Sequence, residues 1–214
     1  DYTFTFQFPK LAFMFPENGK YVGEVEVLDI HLHPGILRER DSSYYFLTEE
    51  AVASRLLMPE KFSPKGTLGN NLLIAGTPAM PGAAVLAARG AIRSGTGLLT
   101  VHVPRFVKEM IHFAVPEALV EVDSSDYCFS GVNDLSRVQA VGIGPGLGTS
   151  DVTRYGMRRL LKAWRGKMVI DADALNLLAA DAELLSMVPR GAVLTPHPKE
   201  FERLAGQSEN DFDR

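Results

Sequence analysis

Val138–Gln139–Ala140–Val141–Gly142–Ile143–Gly144–Pro145–Gly146–Leu147–Gly148–Thr149–Ser150–Asp151 is the stretch that decides the fold. Its first six residues read as a buried strand of a parallel sheet. A glycine-rich turn follows. Thr149, Ser150 and Asp151 then supply cap candidates for a helix whose buried stripe is Met157, Leu160, Leu161 and Trp164. Strand, glycine loop and helix form the βα unit of an open α/β sheet, and such sheets bind ligands outside the carboxyl ends of their strands. The glycines permit positive φ and close backbone approach. The helix N-terminus favours phosphate or diphosphate. No Gly–Lys–Ser/Thr follows, so this is not a P-loop, and the spacing is not the dinucleotide Gly-x-Gly-x-x-Gly. A tight structural turn is the plain alternative.

Working outward, the same pattern recurs three times. The apolar run Leu72–Leu73–Ile74–Ala75 leads into Gly76–Thr77–Pro78–Ala79–Met80–Pro81–Gly82–Ala83–Ala84 and a helix with Pro81 in its first turn. Val85, Ala88 and Ile92 mark its inner face, Arg89 and Arg93 the opposite one, and Gly95 or Gly97 its end. Met168–Val169–Ile170 leads into Asp171–Ala172–Asp173–Ala174–Leu175–Asn176 and a helix to about residue 185. Strand alternation aims Asp171 and Asp173 to one side, where paired carboxylates suit a water-bridged magnesium ion or a hydroxyl. Capping the next helix is the plain role for one of them. Ala192–Val193–Leu194 leads into Thr195–Pro196–His197–Pro198–Lys199–Glu200 and a helix ended by Gly206. His197 at the ligand edge reads as a site residue. Glu200 reads equally as a first-turn acid complementing the helix dipole. Further strands are expected over residues 98–103 and 118–122, with a helix over 106–113. Strands alternating with helices predict a parallel sheet.

Ahead of this unit, Tyr2, Phe4, Phe6 and Phe8 alternate with Thr3, Thr5 and Gln7 in a strand ended by Pro9. Residues 21–30 form a second strand. Two strands alone are marginal, so they need a larger partner. Residues 36–43 read as a linker, and Thr48 caps a short helix to about residue 57. His31 and His33 are weak metal candidates. His102 and His112 have no constellation, and Cys128 lacks a basic neighbour that would activate it.

Composition narrows the function classes. The 22 Lys and Arg against 26 Asp and Glu give a net charge of −4 without a like-charge block. No basic face is offered to nucleic acid. No apolar run of about 18 residues suggests a membrane span, and no signal peptide is visible. One cysteine excludes an intrachain disulfide and fits a reducing, cytoplasmic setting. Asp1 in place of Met suggests that the natural start lies upstream.

In this order, Met80–Pro81–Gly82–Ala83–Ala84, Gly144–Gly148, Asp171–Asn176 and Leu194–Glu200 resemble the ADP/ATP-dependent NAD(P)H-hydrate dehydratases, a branch of the ribokinase-like superfamily. Related small-metabolite kinases carry Thr-Pro-Asn-x-x-Glu where this chain has Thr195–Pro196–His197–Pro198–Lys199–Glu200. The resemblance covers residues 44–214. Residues 1–35 resemble the end of an NAD(P)H-hydrate epimerase domain, through Thr3–Phe4–Thr5–Phe6, Pro9–Lys10 and residues 23–30. Epimerase followed by dehydratase is the layout of the fused bifunctional repair enzyme.

The resemblance implies a ribokinase-like α/β fold with a mostly parallel sheet flanked by helices and truncated at the C-terminus. It implies a carbon–oxygen hydro-lyase that dehydrates hydrated NADH or NADPH with ATP or ADP and Mg2+. Ala83, Gly146, Gly148 and His197 would contact the hydrated dinucleotide. Asp171, Asp173 and Glu200 would organise phosphates and metal. Assembly into a homo-oligomer is also implied. Two departures stand out: Pro64–Lys65–Gly66–Thr67–Leu68–Gly69 replaces the usual His-Lys-Gly-x-x-Gly, and Lys199 stands where Gly is usual. The family's Gly-x-Gly-Asp element, with its catalytic Asp, does not occur in these residues. It is expected beyond Arg214, which would leave this chain alone inactive. The alternatives are a ribokinase-like kinase of a small alcohol or vitamin precursor, and a non-catalytic nucleotide-binding fragment.

Overall fold

The computed structural model describes residues 1–35, 42–56 and 60–214, apart from the Lys65 side chain. The chain divides into two compact units, Asp1–Met58 with Ser208–Arg214, and Pro59–Gln207. Most of the expected linker lies outside the described residues, whereas the helix after Thr48, expected to run to about residue 57, stops at Ala53.

In the first unit, β1 (Tyr2–Phe6) and β2 (Glu24–Leu28) pair in parallel, Tyr2 opposite Glu24. Short helical turns and α1 (Gly19–Val22) connect them. β1 stops at Phe6 rather than running to Phe8, because Gln7 takes a φ of 66°. Its inner face is the threonine side: Thr5 is buried, whereas Tyr2, Phe4 and Phe6 are exposed. Gly23, at φ 61°, separates α1 from β2, so the second strand is shorter than expected. α2 (Glu49–Ala53) is capped as expected, the Thr48 side chain accepting from the Ala51 N–H.

The second unit contains β3 (Asn70–Ile74), α3 (Pro81–Arg93), β4 (Leu98–Val103), α4 (Lys108–Ala114), β5 (Leu119–Val122) and β6 (Ala140–Ile143). α5 (Asp151–Ala163), β7 (Lys167–Ile170), α6 (Ala172–Ala180), α7 (Ala182–Ser186), β8 (Val193–Leu194) and α8 (Pro198–Ala205) follow. The six strands lie in the order β5-β4-β3-β6-β7-β8, and every pairing is parallel. Both faces are covered. Leu72 and Ile74 of β3 join a core with Val141, Ile143, Met157, Leu161, Ile170 and Leu175. Leu73 and Ala75 join another with Val85, Ala88, Val101 and Ile111. That explains why the strands read as continuous apolar runs rather than alternating ones. Ile92 only flanks the second core. The helix expected to run to residue 185 breaks at Asp181. That side chain accepts from the Leu184 N–H to start α7 and pairs with Arg158 at 2.7 Å.

The strand order fixes where a ligand fits. From β3 the chain builds outward through β4 to β5, then returns to the other side of β3 and builds through β6 and β7 to β8. The direction reverses between β3 and β6. Crevices of open α/β sheets form at such a switch point, outside the carboxyl ends of the strands.

Candidate functional site

The two glycine loops flank this switch point, one after β3 and one after β6. The ladder continues into them. Gly144 N–H donates to Ile74 O, Gly76 N–H to Pro145 O at 2.8 Å, and Asp171 N–H to Ile143 O. Close packing then requires glycine. A Cβ on Gly146 would lie 2.7 Å from Met80 O and 2.9 Å from the Ala83 Cβ. A Cβ on Gly144, at φ 135°, would overlap the Asp171 carbonyl. Leu147 is fully buried between the flanking glycines and anchors the loop. Ala83 and Gly146 are thereby neighbours across the crevice, and Gly148 stands beside Thr77.

The aspartates depart from strand alternation. Ala172 takes a φ of 48°, which turns the chain into α6 immediately after Asp171. Asp173 is therefore in the first turn of a helix, not on the strand face it would share with Asp171. Its Oδ2 accepts from the Gly148 N–H at 2.9 Å, which pins the glycine loop. Asp171 occupies the cap position of α6 without a side-chain cap bond.

His197 caps α8. Its Nδ1 accepts from the Lys199 and Glu200 N–H groups, and Glu200 Oε2 accepts from the His197 N–H at 2.9 Å. This is a capping box with imidazole in place of a hydroxyl or amide. An acceptor at Nδ1 puts the proton on Nε2, which faces Glu200 Oε1 at 3.3 Å. The Glu200 side chain is 8% exposed and that of His197 is 56% exposed. The imidazole edge is thus held in place yet open to a ligand. β8 carries this pair two strands from β6, about 10 Å along the sheet.

One polar cluster at this edge was not apparent from the motifs. His102, far from isolated, meets Asp123 Oδ2 through Nε2 at 2.8 Å. Asp123 also accepts from the Ser125 and Ser130 N–H groups and the Ser130 hydroxyl. Burial alone would raise the Asp123 pKa. The bonds from His102, Ser130 and Ser125 outweigh it and hold the carboxyl well below its usual range. His102 Nδ1 faces Glu121 at 3.5 Å, and Phe129 meets the ring edge-on. Within this unit, a cavity of about 350 Å³ between Arg89, Arg93 and residues 114–117 holds none of the motif residues.

Among the described residues, no group of three His, Cys, Asp or Glu side chains can hold a metal ion. Asp173 and Glu200 are already engaged in hydrogen bonds. The described residues thus offer no closed, all-protein magnesium cage. No described helix is long and apolar enough to cross a membrane.

The family model for NAD(P)H-hydrate dehydratase matches residues 71–214, all four edge motifs included. The chain belongs to this family. A bifunctional NAD(P)H-hydrate repair enzyme of Moorella thermoacetica is 34% identical over 213 residues, 96% of this chain and 40% of that protein. An ADP/ATP-dependent NAD(P)H-hydrate dehydratase from Bacillus subtilis, co-crystallised with ATP/Mg2+, is 34% identical with a TM-score of 0.62. That match covers 75% of this chain and 56% of the other. A ribokinase-like superfamily protein from Enterococcus faecalis shares the fold, with a TM-score of 0.65 at 24% identity over 77% of this chain and 60% of that one. The chain thus spans two fifths of the bifunctional relative and over half of the dehydratase. The expected ribokinase-like α/β fold and family membership are both borne out.

Proposed function

We propose that the carboxyl edge of this sheet binds hydrated NADH or NADPH and serves its ADP- or ATP-dependent dehydration. The observation that carries this reading is the convergence of Ala83, Gly146 and Gly148 at the switch point, within the segment matched by the family model. Small residues there leave bare backbone beside a helix N-terminus, where an anionic dinucleotide can approach closely. His197 offers an oriented imidazole edge two strands away, within reach of an extended ligand.

In the reaction, the substrate hydroxyl loses its proton and takes the terminal phosphoryl group of the adenine nucleotide, which leaves as ADP from ATP or AMP from ADP. The C–O bond then breaks with phosphate as leaving group, and loss of a ring proton restores the double bond. Ala83, Gly146, Gly148 and His197 position the dinucleotide. Asp173 and Glu200 act by holding Gly148 and His197 in place, and Asp171 stands at the same edge as a polar candidate. Magnesium accompanies the nucleotide phosphates, a form that needs few protein carboxylates.

The alignment over 96% of the chain with a bifunctional enzyme supports assigning residues 1–35 to an epimerase portion, 36–43 to a linker and 44–214 to the dehydratase portion. A cytoplasmic setting is consistent with the single, half-buried Cys128. Self-association is part of the proposal, with the exposed Leu86 and Phe113 as contact candidates; light scattering tests it.

The test is binding of hydrated NADH to this chain by calorimetry, together with recovery of NADH absorbance by the full-length parent, and not by this chain alone, on adding ATP or ADP and magnesium. Saturable binding that His197→Ala weakens is expected. Phosphorylation of small alcohols, without binding of hydrated NADH, would replace this reading with the kinase one. Binding of neither ligand class would overturn it.

A further inference from the structure

The four junctions at the carboxyl edge differ in how their helices begin. Ser150 caps α5, which carries Asp151 in its first turn. His197 and Glu200 close α8, and Asp173 occupies the first turn of α6. The 13-residue α3 has neither a side-chain cap nor an acidic residue there. Its first-turn N–H groups have no intrahelical acceptor, and the helix dipole adds partial positive charge.

A second observation points the same way. Thr77, in the turn that leads into α3, is 9% exposed, and its Oγ1 has no hydrogen-bond partner among the described residues. Its methyl group stands against the other glycine loop, 3.5 Å from where a Gly148 Cβ would lie. Buried hydroxyls are ordinarily paired, and an unpaired one costs stability.

We propose that the Thr77 hydroxyl is a ligand-contacting group that donates a hydrogen bond to a phosphate oxygen of a bound nucleotide. The inference rests on reading this edge as a nucleotide site and adds a residue to it. A phosphate at the start of α3, beside the Gly144–Gly148 loop, would meet an uncapped helix end and the Thr77 O–H together. Two sources carry that chemistry: the diphosphate of the hydrated dinucleotide and the polyphosphate of the adenine nucleotide.

The test uses Thr77→Val, which keeps the shape and removes the hydroxyl, and Thr77→Ser, which keeps the hydroxyl. Hydrated NADH and, separately, ADP with magnesium are titrated into the 214-residue chain and each variant, and ligand-free Tm is recorded. The valine variant should lose about tenfold or more in affinity for one ligand, with Tm unchanged or raised. The serine variant should bind within about threefold of the parent. The ligand that loses affinity identifies the source of the phosphate. Unchanged binding of both ligands by the valine variant overturns the inference and leaves the site reading intact. A ligand-free Tm that falls with valine but not with serine also overturns it, because the hydroxyl then has a partner within the fold. Failure of the unmodified chain to bind either ligand overturns the site reading and this inference with it.

Discussion

His102 and Thr77 are both buried polar residues at the carboxyl edge of one sheet, 3% and 9% exposed, yet their surroundings are opposite. His102 belongs to a network in which Asp123 takes four hydrogen bonds, from Ser125, Ser130 and the imidazole. Among the described residues the Thr77 hydroxyl has no hydrogen-bond partner, whereas His102 Nδ1, though not hydrogen-bonded, still faces Glu121 at 3.5 Å. The charged cluster looks more like an active site, but its carboxylate is fully engaged, and engaged groups stabilise a fold. The neutral threonine beside bare glycine backbone is where binding capacity remains. A lowered carboxyl pKa accompanies structural networks as well as active sites, and the Asp123 carboxylate lies in such a network.

The largest expected effect tests the backbone of the open end. Gly144→Ala adds a Cβ at φ 135° that would overlap the Asp171 carbonyl, so β6 and β7 must separate. A loss of about 4 kcal/mol or more is expected in urea unfolding. Gly82→Ala, whose Cβ meets nothing within 4 Å, is the control. It should be neutral or stabilise the helix by up to about 1 kcal/mol. Similar values for the two would mean that the loops are not held as described.

The next effect tests the saturated end. Asp123→Asn turns one accepting oxygen into an NH2 group, which must face a donor at Ser125, Ser130 or His102. The expected loss is about 2–4 kcal/mol at neutral pH, with the affinity of the glycine-loop site unchanged. The pH dependence has a definite sign. A carboxyl whose pKa is lowered on folding, from an ordinary value of 3.8, contributes fully above that value. Its contribution fades as pH falls through the lower folded value. The gap between parent and variant should therefore hold from neutral pH down to the ordinary carboxylate range and close only below it. A gap that closes near pH 6 would sink this account.

These two ends also differ in how far the sequence discloses them. The strand–glycine–helix junctions are local, and the 3.6- and 2-residue periods with Gly and Pro punctuation mark them directly. The engaged network is not local. His102 and Asp123 are 21 residues apart and meet because parallel pairing sets His102 opposite Glu121, a register no short motif encodes. Asp173 was expected on the strand because alternation is the default. The positive φ at Ala172 removes it, and alanine gives no hint of that conformation. Thr77 lies inside the Gly76–Ala84 motif. Its only signal was a polar residue between Gly76 and Pro78 at the end of an apolar run, and the missing partner is a tertiary fact.

The smallest expected effect separates two roles of one residue. His197 is both the cap of α8 and a proposed ligand contact, and its two nitrogens divide the work: Nδ1 accepts from the helix, while Nε2 faces Glu200. Asparagine is among the best N-cap residues, and its amide oxygen can take over from Nδ1. His197→Asn should therefore cost less than about 0.5 kcal/mol, whereas His197→Ala should cost about 1 kcal/mol. Neither asparagine nor alanine reproduces the imidazole edge. Both variants should weaken binding of hydrated NADH to a similar degree, even though their stabilities differ. If affinity instead follows stability, with asparagine binding like the parent, His197 acts on the site only through the helix it caps, and the ligand contact must be assigned elsewhere on this edge.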